Sequence, residues 1–251
     1  MAEDVIIETK GLTKEFAGFF AVSDVNLCIR RNTVHALIGP NGAGKTTCFN
    51  LITGFLRPSK GAIFFDGVDI TGLNPADVAK RGMVRSFQIS AVFGKLSVLD
   101  NVIVALQRCH GLSFYFWRSG AALQRFNQRA HELIESVGLQ HYTHVPAGEL
   151  SYGRKRALEI ATTLALDPPM MLLDEPMAGM GHEDTDKIAA LIKRMSKDRT
   201  ILMVEHNLSV VADLSDTITV LEGGQILTEG TYAQVSTDER VIEAYMGAGH
   251  G

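Results

Sequence analysis

Three short stretches of the chain are apolar at almost every position rather than at alternate ones: Val34-His35-Ala36-Leu37-Ile38, Met170-Met171-Leu172-Leu173 and Thr200-Ile201-Leu202-Met203-Val204. Runs of this kind suit strands covered on both faces, as in a parallel sheet. The second and third flank a helical pattern near Asp184 to Lys197, so a βαβ unit is predicted there. The first 70 residues read differently: short β-rich runs, Val5 to Thr9, Val25 to Arg30 and Ala62 to Phe65, alternate with turn residues such as Ser59-Lys60-Gly61 and Asp66-Gly67. They predict a small antiparallel sheet. From about Leu96 to Leu166 helical patterns take over, as in Asn127 to Val137 and Arg154 to Leu166, and a mostly helical lobe is expected. Gly223-Gly224, between Thr217 to Leu221 and Gln225 to Thr228, reads as a hairpin turn.

Composition narrows the classes. A length of 251 residues with 46% hydrophobic positions predicts a packed globular chain of one to two domains. A net charge of −4 supplies no overall drive toward nucleic acid, and Arg154-Lys155-Arg156 is short enough to be a solvated helix face. Cys28, Cys48 and Cys109 are widely spaced without a CxxC pair, so buried reduced thiols and a reducing, cytoplasmic setting are expected. The acidic start Met1-Ala2-Glu3-Asp4 leads only to the short run Val5-Ile6-Ile7, which resembles neither a signal peptide nor an anchor. No run approaches the ~18 apolar residues that span a bilayer. Leu112 to Phe126 concentrates Phe114, Tyr115, Phe116, Trp117 and Phe126, read as local core ahead of a partner-docking patch.

Candidate chemistry begins at the end of the first apolar run. Gly39-Pro40-Asn41-Gly42-Ala43-Gly44-Lys45-Thr46 fits GxxxxGK[ST] between a predicted strand and helix. The glycines let backbone N–H groups turn around phosphate oxygens, and the helix beginning near Lys45 adds the positive end of its dipole. Lys45 is expected to reach the β/γ-phosphates and Thr46 to ligate Mg²⁺, with Thr47 in the same cradle. Asp174-Glu175 closes the second run, at the carboxyl end of a buried strand where α/β sheets bind ligands. Asp174 is the candidate Mg²⁺ ligand and Glu175 the candidate base for an attacking water. Leu150-Ser151-Tyr152-Gly153 precedes a helical run, which places Ser151 as an N-cap and makes the helix start a second anion site. That site suits the γ-phosphate of a nucleotide held by another subunit. Gln88, a candidate link between Mg²⁺ and the helical lobe, and His206, a candidate γ-phosphate donor, each compete with an ordinary structural use.

Taken together, Lys45, Gln88, Ser151 to Gly153, Asp174-Glu175 and His206 stand in the order and spacing of an ABC-transporter ATP-binding subunit, which almost the whole chain resembles. Val84-Arg85-Ser86-Phe87-Gln88, the insert after Asn101-Val102, Leu150 to Ala161, Val204-Glu205-His206-Asn207 and Val241 to Gly247 look like the branched-chain amino acid importer family, at its first ATPase component, the LivG type. The resemblance implies an α/β P-loop NTPase cassette: one ATP-binding domain over 1–251 with a RecA-like parallel-sheet core, an antiparallel β subdomain and a helical lobe. The core lobe is expected over about 1–95 and 167–251, and the helical lobe over about 96–166. It further implies ATP and Mg²⁺ as cofactors, adenine stacking on Phe16, and ATP held between Lys45 of one subunit and Ser151 and Gly153 of another. Phe19 or Phe20 in a core is the competing use of the aromatic cluster around Phe16. Membrane permeases, a related second ATPase or a second copy of the chain, and, indirectly, a solute-binding protein are the implied partners, with docking on the inner face of the membrane. Tyr152 replaces the usual first glycine of the signature, Arg154 the usual glutamine, and Gly181 stands where many such subunits carry an aspartate. A lipopolysaccharide-type exporter ATPase, a soluble ABC ATPase of DNA repair or translation, and a non-catalytic nucleotide-binding module are the rival readings. The lack of heptads or a second cassette, and the retention of Glu175 and His206, weigh against the last two.

Overall fold

The computed structural model describes the backbone of residues 4–86, 92–109 and 120–247. Numbered along the chain, β1 (Val5–Phe16), β2 (Phe19–Val25), β3 (Cys28–Arg30) and β4 (Val34–Ile38) precede α1 (Lys45–Ile52). Next come β5 (Lys60–Phe65), β6 (Val68–Asp69), α2 (Pro75–Lys80), β7 (Met83–Ser86), α3 (Val98–Cys109), α4 (Gly120–Ser136) and α5 (Tyr152–Leu164). The rest alternates through β8 (Met170–Asp174), α6 (His182–Met195), β9 (Thr200–Val204), α7 (Leu208–Leu214), β10 (Thr217–Glu222), β11 (Gln225–Gly230), α8 (Tyr232–Val235) and α9 (Glu239–Gly247). Two compact units share the chain. The first takes the chain up to residue 85, residues 169–175 and the chain from 192 onward; the second takes 86–168 and 176–191.

The first unit holds two sheets. Six strands run in the order β11-β10-β4-β9-β8-β7, and the three continuous apolar runs are neighbours in it, β4 beside β9 beside β8, all parallel. Every residue of those three strands is buried, which is why their sequences do not alternate. The hairpin β10–β11 turns at Gly223 and Gly224, both at positive φ, the backbone that a two-residue turn of this hand demands. A second, antiparallel sheet has the order β2-β1-β5-β6, with β3 also paired to β1. Phe49 and Ile52 of α1 join Ile7, Leu12, Leu37 and Leu202 in one core cluster. Each such side chain contributes about 1.5–3 kcal/mol by leaving water.

Some expectations change here. The run Val25 to Arg30 is not one strand: β2 ends at Val25 and β3 begins at Cys28, because Asn26 leaves the ladder to accept from the Gly11 N–H at 2.8 Å. Alternation in β3 turns Ile29 inward and Cys28 outward, so Cys28 is an exposed thiol while Cys48 is buried. Burial pushes the Cys48 thiol up to about 12. The structure does not describe the side chain of Cys109.

In the second unit, α3 packs on α4 and α5. Asn101 is buried and ties its own approach loop together, donating to Ser97 O at 2.9 Å and accepting from Phe93 N at 2.7 Å. The basic run of α5 is only partly a solvated face. Arg154 is exposed and stacks on the Tyr142 ring at 4.2 Å, but Arg156 turns inward and pairs with buried Glu159 at 2.7 Å. Helical periodicity explains the split, since residues three apart share a face. Of the aromatic segment, residues 114–117 lie outside the described part of the structure, and Phe126 is half-buried. Among the described residues no helix is long and apolar enough to cross a membrane.

Candidate functional site

Sheet register builds the site. Asp174 pairs with Val204 across β8 and β9, and Val204 pairs with Leu37 across β9 and β4. Whatever follows these strands therefore leaves the sheet at one level and one edge: Gly39 to Lys45 after β4, Glu175 after β8, Glu205 and His206 after β9. That edge is the carboxyl edge of the parallel strands, where ligands bind in such sheets.

The loop after β4 carries the conformations that only glycine takes without strain. Gly39, Gly42 and Gly44 have φ of +149°, +80° and +97°. A side chain at Gly39 would collide with the Leu221 carbonyl oxygen, and one at Gly44 with that of Ala21. Gly42 faces open space, so its glycine answers to backbone conformation and to whatever approaches the loop. Pro40 O accepts from Ala43 N at 3.2 Å, which closes the turn around Asn41, and buried Ala43 anchors it to the core. Lys45 opens α1 and donates its ammonium to Gly39 O at 2.6 Å and Pro40 O at 2.9 Å. Burial lowers the Lys45 pKa and Glu175 acts against that shift. An ammonium held by two carbonyls can exchange them for phosphoryl oxygens, and Thr46 presents an exposed hydroxyl beside it, with Thr47 partly covered.

Across the same edge, the Asp174 side chain is 5% exposed and Glu175 33%. Glu175 adopts the left-handed conformation, φ +43°, unusual for a residue other than glycine. Its N–H is bonded to Val204 O at 2.9 Å, so the strained backbone is fixed by the neighbouring strand. Nδ1 of His206 lies 3.8 Å from Glu175 Oε1. Phe16, at the tip of the β1–β2 hairpin, is exposed and pairs in register with Phe19, while Lys14 Nζ sits 5.0 Å from its ring centre. Phe19 and Phe20 are exposed as well, so neither serves a core.

Among the described residues no group of three His, Cys, Asp or Glu stands ready for a metal ion. The donors at this edge suit a cation that takes most of its ligands from phosphate and water: one hydroxyl, Thr46, and one carboxylate, Asp174. Gln88 lies outside the described residues. In the second unit, Ser151 occupies the N-cap position of α5 with extended backbone, but its side chain makes no capping hydrogen bond, contrary to expectation. Among the described residues its hydroxyl is thus not committed to the helix end. Gly153 is buried, and a Cβ there would collide with the Asp184 carboxylate of α6.

The sequence pattern described as "ABC transporter" matches residues 22–178. The chain belongs to this ABC transporter family. A second pattern, "Branched-chain amino acid ATP-binding cassette transporter", matches residues 225–251 of the cassette. Over 249 residues this ABC ATPase is 39% identical to the high-affinity branched-chain amino acid transport ATP-binding protein BraF of Pseudomonas aeruginosa, covering 96% of the chain and 98% of BraF. LivG of Escherichia coli K12, of the same description, is 36% identical over the same shares of the two chains. In fold the cassette matches the ADP conformation of MJ1267, an ATP-binding cassette of an ABC transporter, with a TM-score of 0.84, 31% identity and 97% and 99% of the two chains covered. The ABC assignment and the α/β cassette fold expected from the sequence are thus correct, and nucleotide binding comes with the family.

Sequence reading assigned no role to two side chains of this ABC cassette. Glu205 is 1% exposed and accepts from the backbone N–H of His206 at 3.1 Å and of Asn207 at 3.4 Å, so a buried carboxylate shapes the turn that presents His206. Arg85 donates to Asp174 Oδ2 at 2.5 Å and to Asn50 Oδ1 at 2.6 Å. The available signals were a charge directly after five apolar strand residues, for Glu205, and a charge within a short apolar run, for Arg85.

Proposed function

We propose that the chain is the ATP-hydrolysing subunit of an importer for branched-chain amino acids or a related small polar solute, acting on membrane permeases from the inner face of the membrane. The observation that carries this reading is the gathering of the glycine loop, Asp174-Glu175 and His206 at one edge of adjacent parallel strands. The names of BraF and LivG support the solute class.

On this reading Gly39 to Gly44 and the start of α1 hold the phosphates through backbone N–H groups, Lys45 binds the β/γ-phosphates, and Thr47 completes the cradle. Phe16 stacks on adenine, with Lys14 on the ring adding charge to the stack. Thr46, Asp174 and Gln88 hold Mg²⁺ directly or through water. When bound, Mg²⁺ neutralises the charge that develops on the β/γ-phosphate oxygens. Glu175 takes the proton from the attacking water, and its fixed backbone limits the directions its carboxylate can point. His206 donates to the γ-phosphate and, through Glu175, keeps base and phosphate in register. Ser151 and Gly153 of the partner subunit close on the γ-phosphate, with the partner either a related ATPase or a second copy. The lobes are assigned as core over about 1–95 and 167–251 and helical over about 96–166, the helical lobe docking on the permeases. ATP binding closes the pair of subunits and hydrolysis reopens it.

The test is a mild-detergent purification of the tagged chain from its source membranes, with its companions identified by mass spectrometry. Two multi-span permeases and a second short ATPase are expected. Recovery with soluble nucleic-acid factors alone would overturn the transport reading.

A further inference from the structure

We infer that Arg85 is a positioning residue of the nucleotide site, which shares the Asp174 carboxylate with the bound divalent cation and so sets how tightly that cation is held. The inference rests on the reading of Asp174 as a Mg²⁺ ligand.

Arg85 lies on β7, next to β8 in the sheet, and its side chain is 14% exposed. One arm of the guanidinium donates to Asp174 Oδ2 at 2.5 Å, and the other donates to Asn50 Oδ1 on α1 at 2.6 Å. Asn50 follows Thr46 by four residues, so both stand on one face of α1. The fork therefore ties the carboxylate proposed to hold the metal to the helix face carrying the hydroxyl proposed to hold it. The ring centres of Phe49 and Phe55 lie 5.1 and 5.6 Å from the guanidinium carbon, within cation–π range. Nε is buried and meets no acceptor among the described residues.

Arginine does not lose its proton in proteins, so Asp174 carries a permanent counter-charge. A cation arriving at Asp174 shares the carboxylate with the guanidinium and is repelled by it. The fork thus trades affinity for placement: it weakens the hold of Asp174 on the cation and keeps the carboxylate aligned with Thr46.

The test is Mn²⁺ binding, followed by electron paramagnetic resonance on the purified chain with a non-hydrolysable ATP analogue. Arg85→Met and Arg85→Gln remove the charge, Arg85→Lys keeps the charge but loses the fork, and Asp174→Asn reports on the metal reading itself. Both charge-removing variants are expected to bind Mn²⁺ severalfold more tightly, with a changed spectrum, while Arg85→Lys stays within about twofold of the parent. All three turn over more slowly with KM for ATP little changed, the signature of lost placement. Unchanged or weaker Mn²⁺ binding in either charge-removing variant that keeps the parent melting temperature overturns the inference. If both fail to fold, Arg85 serves the fold and the inference also falls. Asp174→Asn should weaken Mn²⁺ binding; if it does not, the metal reading of Asp174 fails, a result separate from any failure of Arg85.

Discussion

Two histidines stand on the same parallel sheet. His35 lies within β4, 1% exposed, and its Nε2 sits 2.7 Å from Thr219 Oγ1 on β10. Thr219 gives its one hydroxyl proton to Glu229 at 2.5 Å, so Nε2 of His35 carries the proton and donates to it. Burial holds the His35 pKa down to about 4, and the ring is neutral at ordinary pH. The His206 side chain, just past β9, is 64% exposed, and among the described residues its ring meets no carboxylate closer than Glu175 at 3.8 Å. The buried ring has its partners built into the fold and nothing to offer a ligand. The exposed ring sits beside a carboxylate with its hydrogen-bonding capacity uncommitted, which is the state a ligand-binding group needs.

The largest effect that sharpens this contrast is at the carboxylate beside His206. Glu175→Gln should slow ATP turnover by about 10²–10⁴-fold while leaving nucleotide binding intact. Near-normal turnover would remove Glu175 from the role of base. His206→Ala should lower kcat by about 10²-fold with an unchanged melting temperature, the cost of one donor aimed at developing charge. His35→Gln should do the reverse, sparing kcat in the folded protein and lowering stability. Equal kinetic effects at the two histidines would break the comparison.

Next in size is an acid-sensitive window. The folded His35 pKa of about 4 lies below the ordinary 6.5, so between these values the unfolded chain binds more protons than the folded one. The stability from neutral, buried His35 is fully present above pH 6.5 and falls by about 3 kcal/mol as pH drops toward 4. Urea denaturation at pH 7, 5.5 and 4 should show that loss, and His35→Gln should flatten the part due to this residue. Smaller still, Phe16→Ala should raise KM for ATP about tenfold, as loss of about 1–2 kcal/mol of base stacking predicts. The smallest stability change belongs to Ser151→Ala. With no capping bond to lose, it should shift stability by less than about 0.5 kcal/mol while impairing turnover of the assembled transporter.

Several parts of the site were legible because their chemistry is local. The glycine loop needs consecutive residues with special backbone freedom, and the continuous apolar strands beside it announce burial on both faces. The same logic failed where burial depends on distant neighbours. Arg156 looked like part of a charged face until Glu159 and the packing of α5 turned it inward. Cys28 and Cys48 were indistinguishable as letters, yet one faces solvent and the other the core. Ser151 sits where a cap belongs, but position alone does not aim its hydroxyl.

The amino-acid sequence by itself determined the class of chemistry and the family: which loop can wrap a phosphate, which acids end a buried strand, and which cassette the ordered motifs compose. Only the tertiary structure decided what each charge faces. Strand register brought Glu175 and His206 to one edge, and the neighbouring of β7 and β8 in the sheet joined Arg85 to Asp174 across 89 residues of chain. Local propensities act over a few neighbouring residues, whereas the pairing, burial and ionisation of a side chain are set by groups that only folding brings near it.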